Sequence, residues 1–204
     1  MKARDEMLAR IRAANQAAGS PPPPTVPRDY QRHGDYPPGA PELLDVLRDR
    51  LVNYRATVIE TTPSGIADAI GSALANVDGP VLVPPGVPPG WCPDGVRDRD
   101  YSPTELDRFA AVVTGCAAAC AETGTIALDG SPDQGRRALS LVPDVHVCVV
   151  FAAQVVHTVP ELLALLDPTR PITFISGPSA TSDIELERVE GVHGPRTLTV
   201  VLVG

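Results

Sequence analysis

Solid apolar runs alternate with segments of helical spacing along most of this 204-residue chain, and that alternation most narrows what it can fold into. "TVIET", "PVLVP", "FAAVVT", "TIAL", "HVCVVFA", "ITFIS" and "TLTVVLV" read as strands with no polar face, as in a sheet covered on both sides. Between them, "PSGIADAIGSALANV" and "TVPELLALL" carry helical spacing, and Ser102 with Glu105 makes a possible capping box for a short helix. "GCAAACAETG" reads as a further helical segment of small residues. The prediction is an α/β domain with a mainly parallel sheet and helices on both faces. In such sheets ligands bind outside the carboxyl ends of the strands.

The first 40 residues read differently. Residues 1–18 predict a helix with Met7, Leu8, Ile11 and Ala14 on one stripe. "GSPPPPTVPRDYQRHGDYPPG" then lacks periodicity and should be extended. The organisation expected is an N-terminal helix and proline-rich arm over 1–40 and an α/β domain over 41–204. Pro41 opens that domain with "PELLDVLRDRLVNYRA", in which Leu43, Leu44, Leu47, Leu51 and Tyr54 recur at helical spacing.

Composition excludes several classes of function. A formal charge of −8 with no Lys/Arg cluster offers no surface for neutralising phosphates, so no nucleic-acid partner is expected. No apolar run is long enough for a membrane span, and "MKARDEMLARIRAANQAA" is not a signal pattern, so a cytoplasmic protein is expected. Lys2 is the single lysine, which removes Walker-type phosphate loops and Schiff-base chemistry from the core. No G-x-G-x-x-G follows a strand. Cys92, Cys116, Cys120 and Cys148 contain no C-x-x-C, and reduced thiols are expected. Cys116 and Cys120 would share a helix face, either as buried core residues or, with a nearby His, as metal ligands.

"SGPSATSDIELERVEGVHGPR", from Ser176 to Arg196, is far more polar than a connection between two strands requires. Its "GPSATSD" supplies main-chain N–H groups and hydroxyls, with Gly177, Ser179, Thr181 and Asp183 as candidate anion contacts. Ser182 and Glu185 fit equally well a capping box that only starts a helix. In "HGPR", Gly194–Pro195 sets a turn holding His193 and Arg196 close, so that an Arg could grip a carboxylate while a His moves a proton. The alternative is a structural Arg196 paired with Asp183 or Glu185. "AETGT" offers Glu122 as base or nucleophile, or as a solvated side chain, and Thr123, Gly124 and Thr125 as ligand contacts. His146, ahead of a strand, is a catalytic candidate or a structural histidine, and Arg136 faces the site or solvent. His33 and His157 give no comparable signal.

Four motifs in this order, "VVTGCAAACAETGTIAL", "GRRALSLVPDVHV", "ISGPSATSDIE" and "VEGVHGPRTLTVVLV", closely resemble the LUD-domain family, in its lactate utilisation protein C group, also called LutC or YkgG. The resemblance runs from about Thr57 to Gly204. It implies a fold similar to the NagB, ribose-5-phosphate isomerase and CoA-transferase group. It implies a part in L-lactate oxidation to pyruvate beside partner proteins that carry iron–sulfur clusters, with no cofactor in this chain. Its catalytic residues do not transfer from the family, so Glu122, His146 and His193 stand as physical candidates. The ligand expected is a small carboxylate held by Arg196. One alternative is an acyl- or CoA-transferase-like enzyme with Glu122 as nucleophile, and another is a non-catalytic regulatory or assembly subunit.

Overall fold

The computed structural model describes residues 3–19, 24–181, 189–191 and 193–204. Two compact units make up the chain, Met1–Tyr30 and Gln31–Gly204. The first contains α1 (Ala3–Ala17), a helix with no buried residue, followed by an exposed stretch without regular secondary structure over 24–30. Met7 and Ile11, on its expected apolar stripe, are exposed.

The second unit begins ten residues before the helix that opens the predicted domain. Gly34 N donates to Glu161 Oε1 at 3.2 Å, Asp35 N donates to His157 Nδ1 at 3.0 Å, and the rings of Tyr36 and His157 lie 5.7 Å apart. These contacts tie residues 34–36 to the folded domain.

Helix α2 (Pro41–Asn53) follows, with Pro at its first position, Glu42 in its first turn and Arg50 in its last, as the helix dipole favours. Its Leu43, Leu47 and Leu51 are fully buried. β1 (Thr57–Thr61), α3 (Ile66–Leu74), β2 (Val81–Val83), β3 (Val96–Arg97), α4 (Pro103–Leu106) and β4 (Ala111–Thr114) come next. The Ser102–Glu105 capping box forms at the start of α4. Beyond lie β5 (Ala118–Cys120), β6 (Thr125–Leu128), β7 (Val145–Phe151), β8 (Val155–Val156), α5 (Val159–Leu165), β9 (Thr173–Ile175), β10 (Ala180–Thr181), β11 (Val189–Glu190) and β12 (Thr197–Val203).

A six-stranded sheet of order β1-β12-β7-β4-β2-β3 is parallel throughout. Side chains alternate across it. Val147, Val149, Val201 and Val203 pack with Ile66 and Ile70 of α3, whereas Cys148, Val150, Val200 and Leu202 pack with Leu43, Leu47 and Leu51 of α2. The predicted α/β class with helices on both faces is therefore what the chain adopts.

The α2 side of this sheet carries a second, four-stranded sheet of order β8-β5-β6-β9, in which β5–β6 and β6–β9 are antiparallel. The helix expected over "GCAAACAETG" is instead strand β5. Alanine favours helix intrinsically, but Ala118, Ala119 and Cys120 are fully buried between two paired neighbours, and tertiary pairing overrides that preference. Cys116 and Cys120 consequently share no helix face. Cys116 faces the core beneath α2, and Cys120 faces the core beneath α5.

Candidate functional site

A pocket of about 230 Å³ lies over the amino ends of β7 and β12. His146 and Leu198, the second residues of those strands and register partners, form its deep end. Ser140 and Leu141 approach from the segment before β7, and Thr173, Phe174 and Ile175 of β9 form one wall. Ser176, Gly177, Pro178 and Ser179 continue that wall and face His193, Gly194 and Pro195. The carboxyl ends of the parallel strands, where a site was expected, are not where it falls. "ITFIS" belongs to the second sheet and runs antiparallel to β6, so the loop that leaves its carboxyl end closes over the amino ends of the first sheet.

Ser179 fastens the two ends of the polar loop together. Its N–H donates to Pro195 O at 2.8 Å, its carbonyl accepts from Gly191 N at 3.0 Å, and its hydroxyl accepts from His193 N at 2.9 Å. Beyond it, β10 and β11 pair antiparallel, with Thr181 opposite Val189. The polarity of this stretch thus serves two ends, closing the loop on itself and lining a pocket. Asp183, and the capping box proposed from Ser182 and Glu185, lie outside the described residues.

His146 is almost completely buried, and its Nε2 lies 2.8 Å from Thr114 Oγ1. Burial alone lowers its pKa to about 4, so the ring is neutral at pH 7. Among the described lining residues, His146 and His193 are the titratable side chains. The other lining residues are serines, Thr173, glycines, prolines and apolar side chains.

"AETGT" meets this region only at its edge. Thr125 Oγ1 lies 2.9 Å from Ser176 Oγ and 2.8 Å from Thr123 Oγ1, a chain of hydroxyls leading away from the pocket wall. Gly124 and Gly177 both have positive φ, 62° and 87°. A Cβ at Gly124 would lie 2.7 Å from Arg50 Cβ, and one at Gly177 would lie 2.6 Å from Tyr54 Cβ. Both turns therefore need glycine in order to fold against the end of α2. Glu122 is exposed, its main-chain N–H donating to His157 O and its carbonyl accepting from Arg50 Nε.

Two arginines proposed as anion contacts are occupied elsewhere. Arg136 clasps Asp98 with two hydrogen bonds of 3.1 Å and donates to Tyr101 O at 2.5 Å. Arg196 lines a neighbouring cleft with Asp78, Asp107, Arg108 and Asp144, and its Nη1 lies 3.4 Å from Asp144 Oδ2. The structure therefore gathers His146, Gly177, Ser179 and His193 at one pocket, brings Thr125 to its edge through Ser176, and leaves Glu122, Arg136 and Arg196 outside the wall. Sequence reasoning missed Thr114 and Ser140. Each is a lone hydroxyl beside an apolar run; strand pairing shows what Thr114 faces, and Ser140, at the end of a short helical turn, meets the pocket only in the folded chain. Among the described residues, no group of three or more His, Cys, Asp or Glu side chains could hold a metal ion.

A wholly parallel sheet backed by a small mixed sheet, with a pocket lined by His146, His193 and serines between them, defines an α/β domain. The chain belongs to the LUD domain family, whose model matches residues 98–203. It is 47% identical to lactate utilization protein C of Deinococcus radiodurans, over 100% of this chain and 96% of that one. It is 27% identical to lactate utilization protein C of Bacillus subtilis, covering 80% of this chain and 79% of the other. A crystal structure of a DUF162 family protein from Deinococcus radiodurans superposes with a TM-score of 0.68 at 42% identity, covering 80% of this chain and 97% of that one. No helix among the described residues is long and apolar enough to cross a membrane.

Proposed function

We propose that this chain serves in lactate utilisation, as the names of its relatives say of them, and that it does so by binding a small carboxylate in the His146 pocket. The observation that carries the reading is the convergence of His146, His193, Ser176 and Ser179 on a space of about 230 Å³. That volume falls below the roughly 300–1,000 Å³ of sites for drug-sized ligands and suits a molecule of a few heavy atoms. His193, exposed at the rim, can exchange a proton with a ligand, and the main chain of Gly177 lines the same space. Converting lactate to pyruvate removes two electrons and two protons. The electrons would leave through partner proteins bearing iron–sulfur clusters, with this chain contributing the ligand site and no cofactor.

The test has two arms. L-lactate and pyruvate are titrated into the purified chain, with His193→Ala as comparison, and lactate-dependent dye reduction is measured in the co-purified system with and without this chain. Saturable binding weakened by His193→Ala, and dye reduction that needs the chain, are the expected results. Absence of binding by both ligands would end the carboxylate reading.

A further inference from the structure

We infer that Thr114 fixes His146 in the tautomer protonated at Nδ1, so that the deep end of the pocket presents a hydrogen-bond donor and recognises an oxygen acceptor of the ligand. The inference begins with proton counting. A neutral imidazole has one N–H and one bare nitrogen, and what each meets decides which is which. Burial keeps His146 neutral at pH 7.

Thr114 is fully buried, and among the described residues its hydroxyl has a single hydrogen-bond partner, His146 Nε2 at 2.8 Å. If Nε2 carried the proton, it would donate to Thr114 Oγ1, and the buried hydroxyl proton would have no acceptor. Leaving such a donor unmade is costly. If the hydroxyl donates to a bare Nε2, both groups are satisfied and the ring proton moves to Nδ1. No described residue bonds Nδ1, and no buried side-chain nitrogen or oxygen among the described residues lacks a partner, so Nδ1 is open to the pocket that His146 lines.

Two consequences separate this from a role for His146 as general base. Nδ1–H cannot take a proton from a ligand hydroxyl. It can donate to a carbonyl or carboxylate oxygen, as a neutral electrophile. Thr114 is then a positioning residue acting through His146. The ligand half of the inference rests on the carboxylate reading of the pocket, whereas the tautomer half stands without it.

Long-range nitrogen–proton NMR spectra of ¹⁵N-labelled full-length protein at pH 7, with His146→Gln to assign the signals, report the tautomer directly. The expected pattern is a protonated Nδ1 and a bare Nε2 in the wild type. Thr114→Val should lose that preference and Thr114→Ser should restore it, a readout that loss of packing alone does not move. A wild-type ring protonated at Nε2 overturns the inference, whatever the variants do. In parallel, pyruvate, whose carbonyl oxygen only accepts, should bind at least as tightly as L-lactate and weaken roughly tenfold on Thr114→Val. L-lactate binding more tightly, indifferent to Thr114→Val, overturns the ligand half. If neither binds, the carboxylate reading fails and the spectrum still decides the tautomer.

Discussion

Thr114 and His146 meet across β4 and β7 out of register: Thr114 pairs with Cys148 and His146 with Val112, yet the hydroxyl of one lies 2.8 Å from Nε2 of the other. The contact is sealed from solvent, and the same burial makes His146 a source of pH-dependent stability. An unfolded chain protonates this histidine near its ordinary 6.5, whereas the folded chain resists until about 4. Between those values the unfolded state binds more protons, so stability falls as pH drops through this window and stops falling below it. Urea melts at pH 7 and 4.5 should show a loss smaller by about 2–3 kcal/mol in His146→Gln than in the wild type.

Arg136 should prove structural. Burial raises the pKa of Asp98, but the hydrogen bonds and charge of Arg136, with main-chain N–H groups of Tyr101 and Arg99, outweigh it and hold the carboxyl below its ordinary value. Asp98 is nearly buried and Arg136 one-third exposed, so Arg136→Ala leaves a carboxylate short of partners at a cost of about 1–3 kcal/mol. Stability from this carboxylate is present above its unfolded value of 3.8 and is lost as pH falls through the lower folded value. Thermal melts should report the loss, with ligand affinity per folded molecule unchanged.

The parallel sheet was legible because β7 and β12 bury both faces, and a strand buried on both faces is written as an unbroken apolar run. The second sheet was not. Its strands are two to four residues long, and β5 is built from alanine and cysteine, whose burial here comes from neighbours distant in sequence. The site was half legible for the same reason. Local spacing picked out His193, Ser179 and Gly177 in one loop, and His146 as a histidine ahead of a strand. Nothing local says that "ITFIS" runs in another sheet, and that fact alone moves the pocket to the amino ends of β7 and β12.

His157, which gave no signal in the sequence, anchors residues 34–36 through Asp35 N and the Tyr36 ring, and Glu161 Oε1 accepts from Gly34 N while its Oε2 caps α5. Deleting residues 1–30 removes none of these contacts and should leave the thermal midpoint in place. A chain starting at Gly39 loses both hydrogen bonds and the ring contact, and should be less stable by about 1–3 kcal/mol. Equal midpoints for the two truncations would show that residues 31–38 contribute nothing to the domain.

The purified chain should contain no stoichiometric iron or sulfide. Cys120 packs in a different core cluster from Cys116 and Cys148, and Cys92 packs against a third. A cluster needs several thiolates around one site. Iron and sulfide analysis after anaerobic preparation checks this.

His193 and Arg196, three residues apart at the end of the polar loop, should separate on mutation. The side chains of Arg196 and Asp144 are each 63% exposed and 3.4 Å apart, a pair in high dielectric that is worth at most about 1 kcal/mol. Arg196→Ala should therefore leave the thermal midpoint almost unmoved. The guanidinium lines the neighbouring cleft, so its removal should also weaken pyruvate or L-lactate binding less than His193→Ala does, because His193 stands in the pocket wall itself. His193 is exposed and its main-chain N–H, bonded to Ser179 Oγ, survives substitution, so the His193→Ala loop should keep its shape. Calorimetric titration of both variants, with thermal melts to count folded molecules, checks the ordering. Should Arg196→Ala abolish binding while His193→Ala spares it, the arginine swings from Asp144 to grip the carboxylate, and the ligand straddles both clefts.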